Sequence, residues 1–249
     1  MIEKLRIHIA PVGFDVDRIT LPLIEMRADK VYLLIQEPDG AGAKLYVKEI
    51  IKILKKSNIR DIKECPIQIF DIYKTLNEIR KIIEREKNNS IFINVSTGSK
   101  ICSMAGLMAS IICKEDSNFI KTYYVIPTSY HYGGNPSKKL NPQTKGMKSI
   151  LSLPTYRAHL PNKKLIEVLN FIYTKQEVTK KQIVSFLYPE TMARDFDRKE
   201  LSKIYMKVNR KYINELVGEW NFIKVEGMGK SSLIRLTQNG QDMIKFLKD

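Results

Sequence analysis

Acidic residues are the scarcest charged class in this chain: 27 Asp and Glu stand against 42 Lys and Arg, a formal net charge of +15. Cysteine is scarce as well. The three present, Cys65, Cys102 and Cys113, cannot all pair, and none has metal-ligand spacing, so reduced thiols with no metal and no cofactor are expected. No apolar run is long enough to span a bilayer, which excludes a helical membrane protein and any membrane partner of that kind. Met1-Ile2-Glu3-Lys4 leads straight into a strand-like segment without the order of a secretory leader, so the expected setting is cytoplasmic.

What is present in excess points to polyanions. A strongly basic balance favours nucleic acid, nucleotides or an anionic surface. The excess is also localised. Ser117 to Ile166 holds no Asp or Glu but holds Lys121, Lys138, Lys139, Lys145, Lys148, Arg157, Lys163 and Lys164. That stretch joins two halves of different style.

The first half alternates apolar strands with amphipathic helices. Leu5–Ala10, Val31–Ile35, Ile67–Phe70, Ile91–Val95 and Thr122–Ile126 read as strands, with Ile150–Leu153 as one more. Asp15–Arg27, Ala43–Ser57, Asp71–Glu86 and Ser99–Lys114 read as helices with apolar residues at helical spacing, Pro22 having either to sit in the first turns of the first or to kink it. Strands separated by helices imply right-handed crossovers and a mostly parallel, Rossmann-like α/β sheet covered on both faces. A ligand site is then expected where loops leave the carboxyl ends of the strands. The expected domain covers residues 1–153.

Residues 154–249 read as an α+β winged helix-turn-helix. Helices are expected at Lys163–Tyr173, from Thr179, and at Lys199–Val217. A glycine-tipped hairpin over 222–236 and a last helix capped by Thr237 follow. At 100° per residue, Leu201, Ile204, Tyr205, Val208, Tyr212 and Leu216 share one side of the third helix. Lys199, Lys203, Lys207, Arg210 and Lys211 share the other. A core stripe opposite a basic stripe suits a helix placed on double-stranded DNA, with Lys230 at the wing tip and Asn209 and Asn214 offering base-edge contacts. The plainer reading is a solvated helix face on a module used for dimerisation.

Two loops at strand ends carry candidate chemistry. One is Ala10-Pro11-Val12-Gly13-Phe14-Asp15; the other is Asn94-Val95-Ser96-Thr97-Gly98-Ser99-Lys100, which opens a helix. Hydroxyls, a glycine, helix-start N–H groups and Lys100 together make an anion-sized site. Neither loop has the spacing of a Walker A or a dinucleotide fingerprint, and Thr97-Gly98 alone suffices as a helix cap.

A first strand ending in Gly-Phe-Asp, a fourth ending in Ser-Thr-Gly-Ser-Lys and a C-terminal winged helix resemble the CARF (CRISPR-associated Rossmann fold) proteins. The nearest type is the CARF–winged-helix regulators encoded near CRISPR loci. The second loop departs from the usual Thr-Gly-Gly-Thr-Lys by carrying Ser99 in place of the second glycine. The resemblance implies a homodimer and a cyclic oligoadenylate ligand, a cyclic tetra- or hexa-adenylate, held by Gly13, Phe14, Thr97, Gly98, Ser99 and Lys100. Loops Glu37–Gly42 and Thr128–Asn135 would close over it, with Glu37 and Asp39 pointing away from phosphate or contacting bases.

The resemblance also raises enzymes. Family RNases carry Arg-x-x-x-x-His, but the residues five before His8, His131 and His159 are Glu3, Ile126 and Pro154. Some CARF domains cleave their ligand as ring nucleases; here Ser96, Thr97 and Lys100 would act, with His131 as an acid or base. The leading expectation is a ligand-responsive DNA-binding transcriptional regulator. A ring nuclease, or a regulator sensing another anionic metabolite, remains as an alternative.

Overall fold

A computed structural model describes residues 4–38, 42–113, 119–131, 136, 139–154, 161–192, 197–227 and 229–247. Expectations resting on Asp39, Lys138, Arg157, His159 and residues 132–135 lie outside the described residues. The chain forms two compact units, Met1–Ala158 and His159–Asp249; the boundary read from the sequence, 153/154, lies slightly earlier.

In the first unit the order is β1 (Arg6–Pro11), α1 (Asp17–Glu25), β2 (Lys30–Gln36), α2 (Lys44–Lys56), β3 (Asp61–Ile67), α3 (Ile72–Arg85), β4 (Ser90–Asn94), α4 (Lys100–Ile112) and β5 (Ile120–Ile126). A short pair β6 (Ser129–Tyr130) and β7 (Thr144–Lys145) follows, then β8 (Ser149–Leu153). The sheet runs β3-β2-β1-β4-β5-β8, parallel except for the antiparallel edge strand β8. This is the mostly parallel Rossmann-like sheet that the alternating pattern implied.

Strand registers explain how both faces are covered. Ala10, Val31, Leu33 and Ile35 pack with Ile19, Leu23, Tyr46, Val47, Ile50 and Leu54 of α1 and α2. Ile9 pairs with Tyr32 and Ile93 and so faces the other way. There α4 lies so close that a Cβ on Gly106 would sit 3.1 Å from Ile93 and Val95. Each fully buried Ile or Leu contributes roughly 1.5–3 kcal/mol, so a sheet sandwiched this way holds its strand ends firmly.

One strand differs from expectation. Ile67–Phe70 carried the apolar signal, but β3 is Asp61–Ile67 and Ile69 and Phe70 lie beyond it. β3 pairs only with β2. As an edge strand it is largely exposed, so it carries Asp61, Lys63 and Glu64 and tolerates Pro66. The Ile69 N–H already leaves the ladder, donating to Gln36 Oε1 at 2.9 Å.

The second unit is α5 (Lys163–Lys175), β9 (Val178–Thr179), α6 (Lys180–Leu187), a 3₁₀ turn at Pro189–Met192, and α7 (Arg198–Val208). A π segment (Asn209–Ile213) and α8 (Asn214–Gly218) continue that helix. β10 (Ile223–Glu226), a 3₁₀ turn (Gly229–Ser231), β11 (Leu233–Leu236) and α9 (Gln238–Leu247) complete it. The antiparallel sheet runs β10-β11-β9. Leu165, Val168, Leu169, Ile172, Ile183, Val208, Leu216, Ile223, Ile234 and Ile244 form its core. Three helices, a hairpin and a closing helix give the winged helix the sequence order predicted. Starts are set by side chains: Asn162 Oδ1 accepts from Leu165 N at 3.1 Å, Thr179 and Gln182 form a capping box, and Thr237 Oγ1 accepts from Gly240 N at 3.2 Å.

The third helix is not one uninterrupted α-helix over Lys199–Val217. The π segment takes up one residue more per turn than an α-helix, so bearings within Asn209–Ile213 depart from a straight wheel, and Ile213, which that wheel turns away from the core, is buried beside Tyr212.

Candidate functional site

β1 and β4 are neighbours in the sheet. The chain leaves β1 for a helix on one face and leaves β4 for a helix on the other. Their loops therefore part at the point where the strand order reverses, the place an open α/β sheet offers to a ligand.

The two loops meet backbone to backbone. A Cβ on Gly13 would lie 2.9 Å from the Gly98 amide nitrogen. Gly98 has φ +79°, and a Cβ there would lie 2.6 Å from Pro11 Cβ. Each glycine thus makes room for the other loop.

The hydroxyls singled out in the sequence are engaged within the fold. Thr97 is buried and its Oγ1 donates to the Pro11 carbonyl at 2.6 Å. Ser96 Oγ accepts from Val125 N at 2.5 Å. Ser99 Oγ donates to the Ile69 carbonyl at 2.8 Å and accepts from Cys102 N at 3.1 Å, capping α4. Beneath them lies a residue of the second loop to which the sequence assigned no role. Asn94, fully buried, accepts from Ser96 N at 2.8 Å and donates to the Arg18 carbonyl at 2.9 Å. Its only signal was a polar residue ending an apolar strand.

What stays open is narrower. Gly98 and Lys100 are exposed. A first helical turn leaves amide N–H groups without intrahelical partners. Ser99 takes that of Cys102, while among the described residues those of Lys100 and Ile101 have none. One cation and two amides thus stand together at the start of a helix of 13 residues, where the helix dipole favours negative charge.

The acid-free stretch reaches this site through its described part. Phe14 is half-buried, its ring edge-on to Tyr46 at 5.5 Å, and its carbonyl accepts from Gln143 N at 3.0 Å. Asp15 Oδ1 accepts from Thr144 Oγ1 at 2.7 Å, and Asp17 Oδ2 from Gly146 N at 2.6 Å. Tyr46 donates to the Pro136 carbonyl at 3.0 Å and accepts from Asn141 N at 3.1 Å. The segment therefore straps over the first loop and occupies both carboxylates beside it. Arg18, also buried, donates to the Val125 carbonyl at 3.1 Å and pairs with Asp15 at 3.4 Å. His131 and Glu37 are exposed.

His8, inside the sheet, is a framework group. Burial and then the Arg6 charge push its pKa down to about 3. Neutral imidazole stacks on Phe92 at 4.7 Å, and its Nδ1 lies 3.3 Å from the Tyr123 hydroxyl.

On the winged helix, Lys199, Lys203, Lys207, Arg210, Lys211 and Lys230 are all exposed. Lys207 Nζ lies 5.4 Å above the Tyr188 ring, and Lys230 Nζ 4.9 Å above that of Tyr205. Val208, Tyr212 and Leu216 enter the core as expected. Leu201 and Tyr205 are only half-buried and line a cleft beside the wing. Asn209 Nδ2 donates to Asn214 Oδ1 at 3.3 Å, so these two amides face each other.

All three cysteines are free. Among the described residues no cluster of His, Cys, Asp and Glu has the makings of a metal site, and no helix is long and apolar enough to cross a membrane.

Comparison with known proteins follows this division. A family model described as HFX_2341_N:-like, N-terminal, matches residues 6–130. One described as DUF6293 C-terminal winged helix domain matches residues 164–248. Over 194 residues the chain is 29% identical to uncharacterized protein MJ1513 of Methanocaldococcus jannaschii, covering 69% of this chain and 57% of that protein. The match thus spans less than two thirds of that relative. Among solved structures, Enterococcus italicus Csm6 bound to cyclic hexa-2′-fluoro-hexa-dAMP is 16% identical, with a TM-score of 0.42 over 51% of this chain and 35% of that one. Can2 from Sulfobacillus thermosulfidooxidans in complex with cyclic tetra-adenylate is 14% identical, with a TM-score of 0.40 over 96% of this chain and 63% of that one.

Proposed function

Since the chain belongs to the HFX_2341_N-like family by its N-terminal unit, we propose that it is a cytoplasmic, ligand-responsive DNA-binding regulator whose N-terminal unit senses a cyclic oligoadenylate. The observation that carries this reading is the anion site at the start of α4. There Lys100, two unpartnered amides and the exposed Gly98 backbone stand at the reversal point of the sheet. The CARF-like loop sequences supply the ligand class.

A homodimer suits both parts of the reading. A ring of repeated adenylates is a symmetric polyanion, and a two-fold dimer presents two copies of the same site to it. After Lys100, α4 carries no charge through Cys113, and Met104 and Met108 are 56% and 41% exposed. An apolar helix face at the surface beside the site is the kind a second copy covers. The winged helix, with its exposed cations, is the DNA-binding end. Ligand and DNA then bias one dimer arrangement and alter each other's affinity by the same factor.

A sensor fits the site better than a ring nuclease, because the hydroxyls of Ser96 and Thr97 are committed to Val125 and Pro11. Calorimetry with cyclic tetra- and hexa-adenylate tests the proposal. Binding of one ring per dimer, weakened at least about tenfold in Lys100→Ala and with the ligand recovered intact, is the expected result. Linear product would favour the nuclease reading. No heat with either ring on folded protein would sink the ligand assignment and leave a regulator of another anionic metabolite.

A further inference from the structure

The basic stripe on α7 and the wing cleft are different surfaces. At 100° per residue, Lys199, Lys203 and Lys207 centre roughly 140° from the side formed by Arg198, Leu201, Tyr205 and Met206. The second side, together with the start of α6 and the wing turn, encloses a cleft of about 460 Å³, within the size range of small-molecule sites.

The cleft has an unusual floor for a surface that meets only phosphates. Leu201, Tyr205 and Met206 line it, and Met206 is 62% exposed although apolar. Its rim carries Lys180, Arg198 and Lys230, and no carboxylate belongs to the described lining. Among the described residues none of these three cations has an ion-pair partner. Lys230 Nζ rests 4.9 Å over the Tyr205 ring, so a cation caps the aromatic face. Ser202 and Asn209 add polar edges.

We propose that this cleft binds a nucleotide unit, with the base on the floor of Leu201, Tyr205 and Met206 and the phosphate on the rim of Lys180, Arg198 and Lys230. The composition selects for both halves. A simple anion leaves the apolar floor uncovered, and a neutral ring leaves the rim cations without a counter-charge. Stacking on an aromatic face tolerates any base. The incoming phosphate draws Lys230 off the Tyr205 ring, and the base takes the face it leaves. Because Lys230 belongs both to this rim and to the cations expected to face DNA, a bound nucleotide competes with duplex DNA for it. This input is separate from the anion site of the first unit and stands whether or not that site takes a cyclic oligoadenylate.

The test uses the full chain with [methyl-¹³C]methionine, the Met206 resonance being identified by Met206→Leu. Titration with adenosine 5′-monophosphate should shift that resonance saturably. Adenosine should bind at least about tenfold more weakly, and so should the nucleotide in an Arg198→Ala/Lys230→Ala variant. Both residues are exposed, so thermal unfolding of that variant should match the parent. Lys100→Ala should leave the titration unchanged. A single-stranded tetranucleotide that binds more tightly, with the same losses, makes the occupant part of a strand; one that binds no better makes it a free nucleotide. The proposal is overturned if Met206 does not respond at millimolar nucleotide. A response that survives Arg198→Ala/Lys230→Ala, or that disappears in Lys100→Ala, overturns it equally.

Discussion

The loops at the start of α4 and the outer face of α7 both looked, residue by residue, like polyanion-binding surfaces, and the fold treats them in opposite ways. In the loops it takes up nearly every side chain. Ser96, Thr97 and Ser99 are tied to Val125, Pro11 and Ile69, and Asp15 and Asp17 to the strap. On α7 it leaves the lysines exposed. The difference follows from surroundings. A short hydroxyl at a strand end sits among open carbonyls and amides that must be satisfied when buried, whereas a long cation on a helix's outer side reaches solvent and needs no partner within the fold. The first surface therefore offers a polyanion backbone and one lysine, the second side chains.

Three perturbations bear on that contrast. Gly98→Ala should have the largest effect. A left-handed backbone and a Cβ 2.6 Å from Pro11 should cost the N-terminal unit about 3 kcal/mol. In urea denaturation the transition of the C-terminal unit should stay in place. A stable Gly98→Ala protein would mean that the loops are not locked together.

Acid comes next. His8 has a folded pKa of about 3, below the value near 6.5 of an unfolded histidine. Its contribution is complete above about pH 6.5 and is lost as pH falls toward 3. Between pH 6.5 and 5, above most carboxylate titration, the N-terminal unit should lose about 2 kcal/mol. His8→Phe should flatten that slope. The described part of the C-terminal unit contains no histidine and should hold its stability over the same window; a parallel loss there would assign the slope elsewhere.

Smallest in stability is Lys199→Ala/Lys203→Ala/Lys207→Ala, expected to stay within about 0.5 kcal/mol of the parent. Its effect should appear instead in DNA binding, whose dependence on log salt should become shallower by up to about 0.9 per lysine that meets a phosphate. A destabilisation comparable to that of Gly98→Ala would make these lysines framework and erase the contrast.

The sequence made the sheet legible because its central strands are continuous apolar runs, and the winged helix because caps such as Asn162, Thr179 and Thr237 mark its starts. It concealed β3, since a strand paired along one edge needs no apolar run. It concealed β9, two residues long and visible only through pairing with β11. A wheel of constant pitch also hid the π segment, and with it the true bearings of Arg210 and Lys211. At the site, the glycine and Lys100 were readable as types, but whether a serine faces ligand or framework depends on which strand's amide lies beside it. That is long-range information: Ser96 and Val125 are 29 residues apart, Thr97 and Pro11 are 86.

Thr179 closes two structures at once. Its backbone pairs with Leu233 at the margin of the wing sheet. Its N–H donates to Gln182 Oε1 at 2.7 Å, and its hydroxyl accepts from Gln182 N at 3.3 Å, fixing the first turn of α6. In mechanical terms the wing has no free pivot at its root. A load on the tip travels down β11, crosses the rung at Thr179 and reaches the axis of α6 as a torque. The wing and α6 therefore tilt as one lever, and a curved partner that bends one must carry the other with it.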